Sequence, residues 1–289
     1  MESPSSTPSS CASSVKSLRQ SVRSRMLEGL PLPISSSERQ TAWLLALKIS
    51  YIDPTFYVSA LESTHNKYSS NIQGDVNRCQ TLKCSNDLSA SSTELSDRVK
   101  RILIAFSCQF PSGYIQGMHQ VAVPFVCVLP ESAAYCALHT LLTKYLPTYF
   151  APGLRGVYNA VSLVESVLQA VDPILSRRLQ ESNCQASVWS FPLLLSLLVE
   201  LTPFSEIIRI WDFLLAFRPC GPAIIVLVVV SLLVGKRDQI FRCQNPNLLL
   251  KGSFFNPVVA DHVLKCTKEL IPKLPEDLRI SIINHGVES

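Results

Sequence analysis

The sequence predicts an all-α fold built as a single multi-helical domain, and three observations carry that reading. From residue 27 onward, apolar residues recur at helical spacing in segment after segment. Prolines at 111, 130, 147, 173, 203, 222, 257 and 275 fall at or near the segment junctions, as helix punctuation does. No stretch alternates apolar and polar residues between hairpin turns, and no repeat at a solenoid period is present. The chain has 289 residues, 47% of them hydrophobic and only 17% charged, against roughly 25% charged in ordinary soluble domains. That composition provides enough apolar area to offset the ordering entropy of one large core.

Residues 1–26 are expected to be a flexible, basic, Ser-rich tail. They hold ten serines, and Lys16, Arg19, Arg23 and Arg25 against Glu2 place +3 of the chain's net +4 there. Val15, Leu18 and Val22 share a helical face, so a mitochondrial transit peptide is the alternative for this segment. Ser35-Ser36-Ser37 ahead of Glu38 marks a capped helix start, and Trp43, Leu44, Leu45, Leu47 and Ile49 supply its apolar side. Ser91-x-x-Glu94 is a capping box opening a helix from about Thr93 to Gln109. Val99, Leu103 and Phe106 would face inward there, and Pro111 ends it. Further helices are predicted at 115–128, 131–146, 157–170, 173–181, 190–201, 204–217, 222–234, 257–270 and 275–284. The longest apolar run, Ala223–Val234, is broken only by Ser231 and falls short of the ~20 residues of a membrane span, so it reads as a buried core helix. Ser/Asn-rich stretches at 83–93 and 241–253 read as surface loops.

Several function classes lack support. A net charge of +4 is too small for a nucleic-acid binder. The ten cysteines are scattered and follow no secretory segment, so reduced thiols in a cytoplasmic protein are expected. Cys79 and Cys84 have no second pair and no histidine cluster nearby, which argues against zinc. The histidines at 65, 119, 139, 262 and 285 are dispersed, and His139 on an apolar helix reads as a packed residue. G-x-x-x-x-G-K-[ST], H-E-x-x-H and G-x-S-x-G are all absent, leaving no nucleotide site, metal centre or hydrolase machinery of the usual kinds.

Two short segments are unusual. The first is Asn71-Ile72-Gln73-Gly74-Asp75-Val76-Asn77-Arg78, whose Asp75/Arg78 pair, taken alone, is a helical i,i+3 ion pair worth only ~0.2–0.5 kcal/mol. The second is Gly113-Tyr114-Ile115-Gln116-Gly117-Met118, a tight and accessible entry into an apolar helix. Alone, it is compatible with a plain helix–helix turn.

Together and in order, Ile72-x-x-Asp75-x-x-Arg78 and Tyr114-x-Gln116-Gly117 resemble the two signature motifs of the TBC domain, the GTPase-activating domain for Rab GTPases. Ile210-Trp211-Asp212 follows Trp189 and Pro203 at that family's usual separations. Gly29-Leu30-Pro31 and Arg39-x-x-x-Trp43 resemble its opening helix, and Asp172-Pro173-x-Leu175 with Leu179 resembles its middle. The likeness spans residues 27–285.

The resemblance implies an all-α domain with a groove for a small GTPase in its GTP-bound state. Arg78 would be an arginine finger, and Gln116 a second finger orienting the attacking water. Asp75 would position Arg78, Gly117 would permit close approach, and Tyr114 would shape the loop. Ile72 would support the first motif, and Trp189 would either border the partner surface or pack in the core. Trp43, Trp211 and Asp212 would be architectural. GTP and Mg²⁺ would belong to the partner, with no cofactor on this chain and membranes, including endomembranes, reached only through the GTPase. The alternative is a non-catalytic scaffold in vesicle traffic or a cell-cycle checkpoint complex. The sequence departs from the family pattern at Cys79, where Thr is common, and at His119, where a small polar residue is usual. No glycine occurs in Phe213–Pro219, where one often follows Ile-Trp-Asp.

Overall fold

The computed structural model describes residues 8–62, 67–79, 81, 91–246 and 252–287, and among these the chain is helical with no strand. Helices α1 (Pro8–Glu28), α2 (Ser37–Ala46), α3 (Pro54–Glu62) and α4 (Ser69–Arg78) precede the long α5 (Ser92–Gln109). Then follow α6 (Met118–Val128), α7 (Glu131–Thr140), α8 (Arg155–Val171), α9 (Pro173–Glu181) and α10 (Ala186–Leu195). The chain closes with α11 (Phe204–Ala216), α12 (Ile225–Gly235), α13 (Arg237–Arg242), α14 (Ala260–Leu270) and α15 (Glu276–Asn284).

Helix starts use the side chains expected of caps. The hydroxyl of Ser36 accepts from the Arg39 amide at 3.3 Å, that of Ser91 from Glu94 at 3.2 Å, and the Asp172 carboxylate from Leu175 at 2.9 Å. Each satisfies an amide that has no partner within its own helix, an effect worth about 1 kcal/mol.

The predicted core helix is real. After a 3₁₀ turn at Gly221–Ile224, α12 is buried from Ile225 to Leu233 and packs against α8, α10 and α14. Its 11 residues span about 16 Å, half of a bilayer's hydrocarbon core. No helix among the described residues is long and apolar enough to cross a membrane. The neighbour α8 buries Val157, Ala160, Val161, Val164 and Leu168, the i, i+3, i+4, i+7 stripe of a helix with one wet face.

Some boundaries differ from the sequence expectation. The helix predicted at 131–146 is α-helical only to Thr140 and then widens into a π-turn, with the Leu146 amide bonded to Leu141 O at 2.9 Å. The one predicted at 190–201 runs instead from Ala186 to Leu195. Leu197 and Leu198 take left-handed conformations (φ 49° and 68°), and the Trp211 indole donates to Leu197 O at 3.0 Å, holding that turn. α14 starts at Ala260 rather than 257, since the Val258 amide bonds Thr202 O at 2.8 Å. The loop expected at 83–93 lies outside the described residues apart from 91–93, as do residues 247–251 of the second loop.

Residues 1–7 of the basic leader lie outside the described residues, and the rest of it is ordered. From Pro8 it is helical, and its C-terminal part is docked on α2 and α11, with Met26 wholly buried. The cause is carbonyl capping. Arg23 Nε donates to Ala216 O at 3.0 Å, and Arg209 donates to Met26 O and Leu27 O at 3.2 and 3.0 Å. Arginines thereby satisfy the exposed C-terminal carbonyls of two helices.

The centre of this half is an aromatic and ionic knot. Trp43 and Trp211 stack with centroids 5.9 Å apart, and Phe125 meets them edge-on at 5.8 and 5.3 Å. The Asp212 carboxylate, fully buried, accepts from Arg39 Nε (3.1 Å), Arg39 Nη2 (3.2 Å) and Trp43 Nε1 (2.7 Å). The remaining guanidinium protons go to the carbonyls of Leu30, Pro31, Pro33 and Ile34. Trp43, Trp211 and Asp212 are all buried in this knot. His139 is half-buried against Phe56 and Phe106, at 5.6 and 6.0 Å between centroids.

One buried histidine sets a pH dependence. His285 Nδ1 lies 2.8 Å from Ile282 O, a pure acceptor, so Nδ1 carries the proton and Nε2 accepts from the Tyr149 hydroxyl at 2.9 Å. Burial pushes this imidazole down to about 4. Because the folded value lies below the unfolded one, the neutral ring's contribution is complete above about pH 6.5 and is lost as pH falls toward 4. Between about pH 7 and pH 4.5, the wild type should lose about 2 kcal/mol more stability than His285→Gln. Urea unfolding at the two pH values measures the difference, and equal losses would refute it.

Candidate functional site

Helix α4 is short, and its spacing sorts its side chains. Ile72 and Asp75, three residues apart, face inward and are buried, while Arg78 in the last turn stands out with its side chain 73% exposed. Ile72 anchors the helix against α5 and α6. Asp75 is placed where an apolar side chain would be expected, so its oxygens need partners. Oδ1 accepts from Arg78 Nη2 at 2.7 Å, and Oδ2 accepts from the Tyr114 hydroxyl at 2.6 Å.

Tyr114 arrives from the second segment. After Pro111 the chain turns through Gly113 (φ 65°), where an added Cβ would lie 2.1 Å from the Tyr68 hydroxyl. It turns again at Ile115–Met118, closed by the Met118 amide on Ile115 O at 3.2 Å. Gly117 occupies the third position of that turn with φ 105°, the left-handed geometry of a type II turn. A Cβ there would also meet Leu195 of α10 at 3.0 Å. This double glycine requirement delays the start of α6 to Met118, three residues after the predicted 115, and leaves Gln116 exposed at the apex. Among the described residues the Gln116 amide has no hydrogen-bond partner.

The two segments make one surface. Arg78 and Gln116 both border two adjoining depressions, one of about 310 Å³ reaching Thr81, Gln120 and Glu200, and one of about 370 Å³ reaching Ser70, Asn71 and Gly74. Gln120 donates to Glu200, and the Thr81 hydroxyl donates to Val199 O at 3.0 Å, so the turn after α10 forms one wall.

His119 completes the buried side. Its Nδ1 is 3.2 Å from the Tyr114 hydroxyl oxygen and 3.9 Å from Asp75 Oδ2. Since Tyr114 gives its proton to Asp75, Nδ1 is the donor to Tyr114. Burial lowers the His119 pKa, against the opposing pull of Asp75, and keeps the ring neutral. Burial, reinforced by the Asp75 bond, raises the Tyr114 phenol well above its ordinary value, so it stays protonated and donating. The chain His119–Tyr114–Asp75–Arg78 therefore fixes the exposed guanidinium from behind. Tyr114→Phe removes the middle link and leaves the buried Asp75 Oδ2 without its donor, a loss expected at about 1–3 kcal/mol in denaturant unfolding. An unchanged midpoint would refute the link.

Trp189, which the sequence leaves open between the partner border and the core, lies in the core. It is 2% exposed and packs on Phe255 at 6.1 Å, with no hydrogen-bond partner for Nε1 among the described residues. The apolar face of α10 turns it inward. Sequence reasoning missed the supporting part of His119 and the wall made by Gln120 and Glu200, for which the local pattern holds no signal. Among the described residues no three His, Cys, Asp or Glu side chains gather as metal ligands, and no disulfide is present.

Comparison with known proteins adds independent evidence. The protein named putative mitotic check point protein BUB2 of Dictyostelium discoideum is 29% identical over 279 residues, which cover 91% of this chain and 73% of that one. Cell division control protein 16 of Schizosaccharomyces pombe is 28% identical over 256 residues, covering 88% and 83%. The crystal structure of the Ypt/Rab-GAP domain of Gyp1p superposes with a TM-score of 0.70 over 88% of this chain and 92% of that one, at 16% identity, a likeness of fold. The family described as the Rab-GTPase-TBC domain matches residues 36–241, which take in both motifs and the Trp43–Asp212 knot. This chain is a member of the Rab-GTPase-TBC domain family.

Proposed function

We propose that this chain is a GTPase-activating protein that supplies Arg78 and Gln116 in trans to the GTP site of a Rab-type small GTPase. One observation carries the proposal: an exposed arginine, held from behind by a buried carboxylate, borders the same depressions as an exposed glutamine on a glycine-built turn. Hydrolysis of GTP spreads negative charge over the γ-phosphoryl group and requires a positioned water, so acceleration is a matter of charge and geometry. The Arg78 fork bridges phosphate oxygens. The Gln116 amide, donor and acceptor together, orients the water. GTP and Mg²⁺ are the partner's, and this chain meets a membrane only through the GTPase.

The cellular setting we propose is a mitotic checkpoint rather than vesicle traffic, because relatives with checkpoint and cell-division names align over about nine-tenths of the chain. A scaffold would need neither finger. The test is single-turnover GTP hydrolysis by a panel of GTP-loaded small GTPases with the full chain added. Acceleration of at least one panel member is expected, and acceleration of none would overturn the catalytic reading in favour of the scaffold.

A further inference from the structure

A second depression, sharing no residue with those around Arg78, lies where α1 meets the ends of α2 and α11. It has a volume of about 430 Å³. Five cationic side chains line it, Lys16, Arg19, Arg23, Lys48 and Arg218, and no carboxylate does. That exceeds the +4 of the entire chain, so the remainder of the chain is slightly acidic and the positive excess is focused on one concave site. The floor is apolar, made by Val22, Met26, Leu45 and Ala216.

The cations divide by role. Arg23 is bonded to Ala216 O, and Arg218 donates to Leu215 O and Ala46 O, at 3.0, 3.0 and 2.6 Å. These two hold the walls together. Lys16, Arg19 and Lys48 are exposed. Lys48 also sits at φ 60°, where glycine would avoid a strain of about 1 kcal/mol, so this position carries a charge where the backbone would favour no side chain.

We propose that this cleft binds an acidic segment of a partner protein, with an apolar side chain of that segment seated on the floor and its carboxylates facing Lys16, Arg19 and Lys48. Charge complementarity selects the anion. A concave site with an apolar floor selects a peptide with alternating character over a flat anionic membrane, which a planar or convex basic face would meet better. The site is independent of the GTPase reading.

The probe is a fluorescein-labelled peptide alternating Glu and Leu, measured by fluorescence polarisation against the full chain. Binding is expected to weaken steeply with salt, to disappear when every Glu is replaced by Gln, and to fall by at least about tenfold in Arg19→Glu/Lys48→Glu. Both positions are exposed and outside the carbonyl-capping bonds, and circular dichroism confirms that the variant is folded. Lys265→Glu, which does not line this cleft, should leave binding unchanged. No binding up to about 1 mM peptide, or equal binding by the double variant, would overturn the proposal. It would also be overturned if phosphatidylserine vesicles, and not the peptide, were captured in a manner dependent on Arg19 and Lys48.

Discussion

Arg78→Ala should reduce the stimulated rate of GTP hydrolysis by about 10²-fold or more, since arginine fingers supply about 10³–10⁵ in rate. The same substitution removes the donor to the buried Asp75 Oδ1, so it should also lower the free energy of unfolding by about 1–3 kcal/mol, which leaves a domain of ordinary stability folded. Circular dichroism under the assay conditions then separates a chemical role from a structural one. Arg78→Lys should restore little, as an ammonium keeps the charge but lacks the planar fork that bridges two oxygens. Gln116→Ala should lower the rate by a comparable amount with the fold equally intact. Single-turnover assays on the responsive GTPase decide the matter. Stimulation unaffected by Arg78→Ala would sink the assignment of the finger even if the activity itself stood.

Asp212→Ala should lower the free energy of unfolding by about 3–5 kcal/mol, a large share of the ~5–15 kcal/mol typical of a domain. The loss comes less from a missing attraction than from what remains. Arg39, 2% exposed, would keep its charge with only backbone carbonyls as partners, and Trp43 Nε1 would lose its acceptor. Asp212→Asn should fall between, since it can still accept from Trp43 but no longer balances Arg39. Replacing both ionic partners together, as in Arg39→Met/Asp212→Leu, should recover only part of the loss, because Trp43 Nε1 and the carbonyls of Leu30, Pro31, Pro33 and Ile34 are then left without these partners. Urea midpoints measure each variant, and a loss below about 1 kcal/mol for Asp212→Ala would refute the account.

Local pattern made much of this molecule legible. Ile72, Asp75 and Arg78 could be placed on one helix because their spacing is helical, and the caps at Ser36 and Ser91 follow from side chains that accept from nearby amides. What stayed hidden depends on distant contacts. Asp75 and Tyr114 are 39 residues apart, Arg39 and Asp212 are 173 apart, and nothing in either neighbourhood announces the other. The basic leader read as a tail because its own composition is polar and Ser-rich. Its order comes from carbonyls at Ala216 and from Arg209, far along the chain. The family likeness left Trp189 open between the partner border and the core, and the helix's own apolar face decides for the core.

The hydroxyl bridge from Tyr114 to Asp75 also divides labour within the site. It fastens the helix bearing Arg78 to the turn bearing Gln116, so the two side chains proposed to act are held together in the chain by itself. The rim residues Ser70, Asn71, Thr81 and Glu200 contribute nothing to that bridge. On the proposed reading, substitutions confined to the rim would change which GTPase is accepted and leave Arg78 and Gln116 in place.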